Sequence, residues 1–506
     1  MGARTIMVQG TASSAGKSIL VTALCRIFRQ DGYRVAPFKA QNMALNSYIG
    51  EDGGELGRSQ AVQAEAAGAE MSIDMNPILL KPEGDARCQV VVHGQPYATL
   101  TATQYYDLKN ELWPLALASL ERLRSRYEVV LVEGAGSPAE VNLKENDIVN
   151  MRVARAVGAP VLLAADIDRG GVFASLVGTL ELLEPAERAL VKGLVINKFR
   201  GDFSLLQPGL DFLARRTGVP VAGVVPYLRD LRIAEEDSVA LEGGWRGRAR
   251  ALLDIAVVHL PRIANFDDFD PLQAEPTVSL RLVGEPRGLG RPDLVILPGS
   301  KATIADLAHL RQNGLAEAIV ALARQGMPVV GICGGYQMLG RMLYDPSSVE
   351  SPLGEAAGLG LLPVDTTFAA EKRTCRVRGR VVGGRGILSF AGGQEVEGYE
   401  IHMGRTAGEA QAAIHLVERQ GEPVDSLDGA ISADGIVFGT YLHGLFDRPG
   451  FRRCLLEWLA RRRGVRLTDE DHGIDRDGEY DRLAAAVRAS LDMELVYRLV
   501  GLEGRR

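Results

Sequence analysis

The sequence predicts an α/β protein built from two parallel-sheet domains in series, and three observations carry that expectation. Short β-branched runs alternate with helical stretches in both halves of the chain, the pattern of a doubly wound sheet. Near the N-terminus one such run leads through a glycine-rich loop, ending Gly16-Lys17-Ser18, into a helix. In the second half another run leads through the turn Cys333-Gly334-Gly335 into a helix, placing a cysteine at the apex.

The chain of 506 residues is long enough for two large α/β units. Hydrophobic residues make up 46% and charged residues 24%, an ordinary globular balance. A formal net charge of −7 argues against a nucleic-acid binder, which needs a basic face. The five cysteines form no Cys-x-x-Cys pair, which points to a reducing cytoplasm and away from a disulfide framework or zinc site. There is no signal-peptide pattern, and no apolar run approaches the roughly 18 residues of a membrane span, so a cytoplasmic protein without membrane contact is expected. The expected division is 1–227, a linker over 228–250, 251–447, and a helical tail over 448–506.

In the first domain, Thr5 to Gln9 reads as a strand and Gly10-Thr-Ala-Ser-Ser-Ala-Gly-Lys-Ser18 as a phosphate loop, one residue longer than the standard Gly-x4-Gly-Lys-[Ser/Thr]. Amides along Thr11, Ser14, Ala15 and Gly16 wrap phosphates, Lys17 neutralises β/γ charge and Ser18 reaches Mg²⁺. A lone Gly-Lys-Ser is a chance event; one set between an apolar strand and an amphipathic helix marks an ATP site. The strand Arg34–Phe38 delivers Lys39, and Glu51 to Gln60 is a glycine-rich polar stretch that reads as an active-site loop. The strand Glu128–Glu133 closes on a carboxylate placed to hold Mg²⁺ across from Ser18. A Glu at a strand end is often merely solvated, but the glycines after Glu133 and the phosphate loop favour the metal role. Strands over 160–166, 190–197 and 219–226 complete the sheet.

The second domain centres on Met327 to Gly340. Val329–Ile332 is a short buried strand, Cys333 occupies a nucleophile elbow, and Tyr336 begins the helix whose N-terminus favours a thiolate. A buried structural cysteine is the commoner fate of such a residue, yet glycines at 331, 334 and 335 fit a strained nucleophile turn. The partner base is His443, at the end of the apolar strand that starts at Gly435. The strand from Asp293 ends at Pro298-Gly299-Ser300, where the Gly299 amide, with that of Gly334, is placed to hold an oxyanion. In the tail, arginines 452, 453 and 461–463 read as a solvated face or docking helix, and a single final helix is expected from about Tyr480 to Leu499.

Strand, oxyanion turn, cysteine elbow and histidine strand, in this order, resemble the class I glutamine amidotransferases over about residues 251–447. Most of that family carries a Glu two residues after the His; here that position is Leu445, which resembles the branch acting in cobalamin biosynthesis and implies a Cys–His pair without that acid. The longer phosphate loop resembles dethiobiotin synthetase and related ligases that activate a carboxylate as an acyl phosphate. That resemblance implies that Lys39 faces the transferring phosphate and Asn197 reads the adenine edge. Six phrases, beginning at Lys39, Gly136, Asp166, Asn197, Asn265 and Gly398, together resemble the cobyric acid synthase family over nearly the whole length. The implied function is ATP- and glutamine-dependent amidation of the b, d, e and g carboxylates of adenosylcobyrinic acid a,c-diamide. The partners implied are a corrin substrate and glutamine, with Mg²⁺ and ATP serving the ligase. The nearest alternative is a sister enzyme such as cobyrinic acid a,c-diamide synthase. A partitioning ATPase is disfavoured, because its loop opens on a second lysine that Gly10–Lys17 lacks, and it would leave Cys333 and His443 without a purpose.

Overall fold

Continuous apolar runs bounded by glycine and polar residues become the central strands of two parallel sheets in the computed structural model. It describes residues 2–83, 87–236, 241, 245, 247–351, 353–467 and 472–502. The expected connection over 228–250 lies partly outside these residues. The chain divides into one unit comprising 1–44, 55–234 and 475–506, and another comprising 45–54 and 235–474.

The main sheet of the first unit has six strands among the described residues: β1 (Arg4–Gly10), β2 (Val35–Phe38), β3 (Val129–Glu133), β4 (Val161–Asp166), β5 (Val191–Phe199) and β6 (Val221–Pro226). They pair in parallel in the order β6-β5-β4-β1-β3-β2. β3 is buried at every residue, as expected of a strand covered on both faces. Helix α1 (Lys17–Gln30) leaves the phosphate loop at the β1 end, and α2 (Ala102–Arg126) begins with a capping box at Thr101 and Gln104. A smaller sheet in the same unit joins Gln41–Met43 to Ile78–Pro82, Arg87–Val92 and Gln95–Thr101.

The second unit holds β7 (Leu253–Val258), β8 (Val278–Val283), β9 (Leu294–Leu297), β10 (Val329–Ile332), β11 (Ala430–Ile431) and β12 (Val437–Thr440). Their order is β8-β7-β9-β10-β12-β11, parallel except for the β11–β12 pair. Between β10 and β11 the chain builds a second six-stranded sheet, whose long hairpin pairs Val364–Val381 with Glu395–Gly408.

The units are interleaved in sequence rather than simply successive. The glycine-rich stretch expected to be one active-site loop is split: residues 45–54 belong to the second unit, and Arg58–Ala67 is a helix of the first. The stretch 448–506, expected as one tail, also divides. Pro449–Arg463 is a helix of the second unit, whereas residues from 475 onward belong to the first. The single helix expected from Tyr480 to Leu499 is two, Arg476–Ser490 and Met493–Val500. It breaks because Leu491 leaves the helix to bridge Gly223 and Asp492 caps the next helix through the Leu495 amide. Leu483, Val487 and Val496 of these helices pack with Leu20, Leu24 and Phe28 of α1, closing that face of the first sheet. Arg452 is not solvated either: it is buried, and its guanidinium donates to Glu275 at 2.9 Å and to the Phe446 carbonyl at 2.7 Å.

Candidate functional site

In the second unit, Cys333 stands between β10 and the short helix α3 (Gly334–Leu339) with φ 50° and ψ −108°. A β-carbon residue held there stores strain on the order of 1–3 kcal/mol, the backbone signature of a nucleophile elbow. Gly335 makes the turn possible, because a Cβ at that position would overlap the Leu297 carbonyl oxygen at the end of β9. The Cys333 amide donates to the Thr440 carbonyl at 2.8 Å, and its sulfur lies 3.4 Å from the Ile401 carbonyl oxygen. The long hairpin of the second sheet thus forms one wall of the site.

His443 follows β12 by three residues and is 2% exposed. Its backbone exchanges hydrogen bonds with Tyr399, whose ring stacks on the imidazole at 5.3 Å and 17°. Its Nδ1–H donates to Asp268 Oδ2 at 2.7 Å, and the second carboxylate oxygen accepts from the Gly444 amide at 2.7 Å. Burial works against the imidazole proton, but the Asp268 charge and hydrogen bond, aided by Cys333, push His443 up to about 10. The same contact favours the charged ring and fixes its orientation.

The Cys–His pair, read without an acid at position 445, has an acid from elsewhere in its unit. Leu445 is a buried core residue, and the acid comes from the short helix Phe266–Phe269, preceded by Asn265 with φ 53°. Asp268 was the residue missed. The signal was in the sequence, in Asn265-Phe-Asp-Asp-Phe-Asp: carboxylates spaced between aromatics that must be buried. Gly299 and Gly334 are both at the site. A Cβ on Gly299 would sit 3.0 Å from His443 Cε1, and one on Gly334 would sit 2.8 Å from the Ser300 amide nitrogen. Gly299 thus lies close against the imidazole, and Gly334 against the turn at Ser300.

In the first unit the loop from Gly10 to Ser18 joins β1 to α1, and two of the amides expected on phosphate, those of Thr11 and Ala15, are bonded to carbonyls. Thr11 N donates to the Ala164 carbonyl and Ala15 N to Ala12, so Ser13–Ala15 forms a single tight turn before Gly16. Gly16 has φ 88°, and a Cβ there would overlap the Asn197 amide nitrogen. Asn197 Nδ2 donates to the Ala15 carbonyl at 2.9 Å while its Oδ1 accepts from Lys198 N. Its nitrogen thus braces the loop, while its oxygen closes on the next backbone amide. Lys198 reinforces the loop through the Ser14 carbonyl at 2.8 Å and Asp166 at 2.9 Å.

Lys17 is buried, its ammonium donating to the carbonyls of Ala12, Ser13 and Gly136 at 3.0, 3.2 and 3.3 Å. Glu133, at the end of β3, gathers three donors. Ser18 Oγ reaches Oε1 at 2.8 Å, Lys39 Nζ reaches Oε1 at 2.9 Å, and Gln63 Nε2 reaches Oε2 at 2.5 Å. Gln63 was not anticipated; it comes from the helix that follows the glycine-rich stretch. The Ser18 hydroxyl and Glu133 carboxylate bring hard oxygen donors together beside the loop. This fits Mg²⁺, which takes one or two protein oxygens and completes its shell from phosphates and water. Among the described residues no cluster of three His, Cys, Asp or Glu could hold a metal without such help.

Comparison with known proteins agrees with this two-unit arrangement. The model for the CobQ/CobB/MinD/ParA nucleotide binding domain matches residues 6–240, and that for the CobB/CobQ-like glutamine amidotransferase domain matches residues 254–451. A cobyric acid synthase of Sorangium cellulosum is 58% identical over 521 aligned positions, covering 100% of both chains. One from Dehalococcoides mccartyi is 55% identical, also over 100% of both. One from Pelotomaculum thermopropionicum is 56% identical, over 100% of this chain and 98% of its own.

Proposed function

This chain belongs to the cobyric acid synthase family, and from that premise we propose how its two units divide the work. It is an ATP-dependent carbon–nitrogen ligase that uses glutamine as nitrogen donor and makes cobyric acid. The finer reading is that it amidates the b, d, e and g carboxylates of adenosylcobyrinic acid a,c-diamide. Five free cysteines agree with work in a reducing cytoplasm.

In the amidotransferase unit the Cys333 sulfur attacks the side-chain carbonyl carbon of glutamine. The carbonyl electrons move to oxygen, where the backbone amides around Gly299 and Gly334 hold the oxyanion. The intermediate collapses as His443 delivers its proton to the departing nitrogen, releasing ammonia and leaving a thioester. Water, deprotonated by His443, then attacks the thioester, glutamate leaves and the thiol is restored. Asp268 keeps the imidazole turned towards the sulfur and stabilises its positive charge throughout.

In the ligase unit a carboxylate oxygen of the corrin attacks the γ-phosphorus of ATP, and ADP departs. Lys17 and Lys39 carry positive charge to the phosphate oxygens, and Asn197 and Lys198 keep the loop in shape. Magnesium would be held by Ser18 and Glu133 and would supply further neutralisation of the phosphates. Ammonia attacks the acyl carbon, inorganic phosphate leaves, and the amide loses a proton.

The observation that carries this reading is that one chain holds both a His443–Asp268 pair beside an elbow cysteine and a phosphate loop facing Glu133. Cys333→Ala tests the division. Synthesis from glutamine should vanish, while synthesis from added ammonium should continue near the wild-type rate. Loss of both activities in a folded variant would overturn it.

A further inference from the structure

A cleft of about 800 Å³ opens in the ligase unit against the phosphate loop, with Ser13 and Gly136 on its wall. Their carbonyls are two of the three that receive the Lys17 ammonium, so the cleft begins at the edge of the phosphate cradle. A carboxylate that is to attack a γ-phosphate must lie within contact distance of it, and this is a space beside the cradle large enough for a sizeable acceptor.

The lining has two characters. Met43 and Leu143 present exposed apolar side chains, 55% and 43% accessible, although no packing demand puts them at the surface. Cations stand beside them. Lys109, on α2, lies over the rings of Tyr105 and Tyr106 at 5.8 and 5.6 Å, and no carboxylate or hydrogen-bond acceptor is within reach of its ammonium among the described residues. Burial lowers its pKa against the opposing pull of the Asp147 charge, the mark of a partly desolvated cation. Arg155, on the exposed rim, likewise has no side-chain partner among the described residues. Among the described residues no nearby acid makes an ion pair with Lys109. Glu184 and Glu187 pair with Lys144 at 3.1 and 2.8 Å, and Asp147 accepts the backbone amides of Val149, Asn150 and Arg152.

We propose that this cleft is the corrin site, with one macrocycle face on Met43 and Leu143 and a neighbouring substrate carboxylate on Lys109 while another reaches the phosphate cradle. An amphipathic ring with methyl-bearing faces and several carboxylate arms matches apolar wall and unpaired cation together; an adenine base needs neither cation. Holding one arm while activating another also suits an enzyme that acts on several arms in turn, because the held and reacting arms exchange as the ring is re-docked. The assignment rests on the proposed function.

The test uses the full chain and ammonia-supported amidation of adenosylcobyrinic acid a,c-diamide. Lys109→Met should raise the KM for the corrin about tenfold or more, the loss expected for a charge-assisted hydrogen bond. Its KM for ATP and its glutaminase rate should stay at wild-type values, the former reporting a folded ligase unit. Lys109→Arg should recover most of the loss. Should Lys109→Met fail to fold, Arg155→Ala, on the exposed rim, should raise the corrin KM by about threefold or more through the same loss of charge. An unchanged corrin KM in the folded variants, or a rise in the ATP KM instead, overturns the site. Equilibrium dialysis of the wild-type chain against the same corrin, with a non-hydrolysable ATP analogue, separates the two claims. No binding there defeats the proposed function and the site with it, whereas binding that Lys109→Met leaves unaltered defeats the site alone.

Discussion

Asp268 and His443 lie 175 residues apart in the chain and meet at 2.7 Å, carboxylate to imidazole, with both side chains almost wholly buried. The contact turns what reads as a two-residue centre into a three-residue one. It also fixes which imidazole nitrogen faces the sulfur, since Nδ1 is committed to the carboxylate and Nε2 is left for Cys333.

Asp268→Asn removes the charge and keeps the size. Glutamine-dependent synthesis should fall by about 10²–10⁴-fold, while ammonia-dependent synthesis should hold. The pH profile gives a second readout. With His443 raised to about 10, wild-type glutaminase should decline only as pH rises through that value. In the variant the decline should move down towards about 6.5, the ordinary imidazole range. The same contact stabilises the fold: because the folded pKa exceeds the unfolded one, its contribution is complete below about pH 6.5 and is lost as pH rises to about 10. Glutaminase kinetics of the variant across pH check the rate and the profile, melting temperatures over the same range check the stability, and an unshifted profile would remove Asp268 from the centre.

Leu445→Glu restores the acid found at the corresponding position in most class I amidotransferases. Asp268 already occupies Nδ1, and Leu445 is 1% exposed in the core. A carboxylate buried there without a partner costs about 3–5 kcal/mol unless it takes up a proton. The expected outcome is a lower melting temperature with no gain in glutaminase rate. A several-fold faster glutaminase would show that the existing acid limits the site.

Much of this was legible from residue types alone. Gly16-Lys17-Ser18, Glu133, Cys333 and His443 each end or follow a short apolar strand, and strand ends in parallel sheets are where such groups collect. Asp268 escaped because an orienting acid is defined by proximity in space, and no spacing rule links a short helical turn after Asn265 to a strand end near residue 440. The break at Leu491 escaped for a related reason. Helical periodicity runs through Leu483, Val487, Leu491 and Leu495, and only the edge of β6, reached by Leu491, makes leaving the helix favourable. Residues 45–54 belong to the second unit through contacts such as Ser47 N to Asn265 Oδ1 at 3.0 Å and the Tyr48–Tyr399 edge-to-face pair, which local sequence does not encode.

On the proposed mechanism, in which the Lys17 charge serves the transferring phosphoryl group, Lys17→Ala should slow amide formation from either nitrogen source by about 10²–10³-fold. Glutamate release without corrin should persist, since Cys333, His443 and Asp268 all lie in the other unit. Running both assays on one preparation checks this. Near wild-type amidation would mean that the loop from Gly10 to Ser18 is not the phosphate cradle.

The central claim is chemical, and the measurement that reaches it most directly is mass spectrometry of adenosylcobyrinic acid a,c-diamide incubated with the wild-type chain, ATP, magnesium and glutamine. The account predicts amides appearing stepwise and ending at four, with one ATP and one glutamine consumed for each. ATP hydrolysis with no amide on this substrate, or amidation of cobyrinic acid that stops at two, would contradict it.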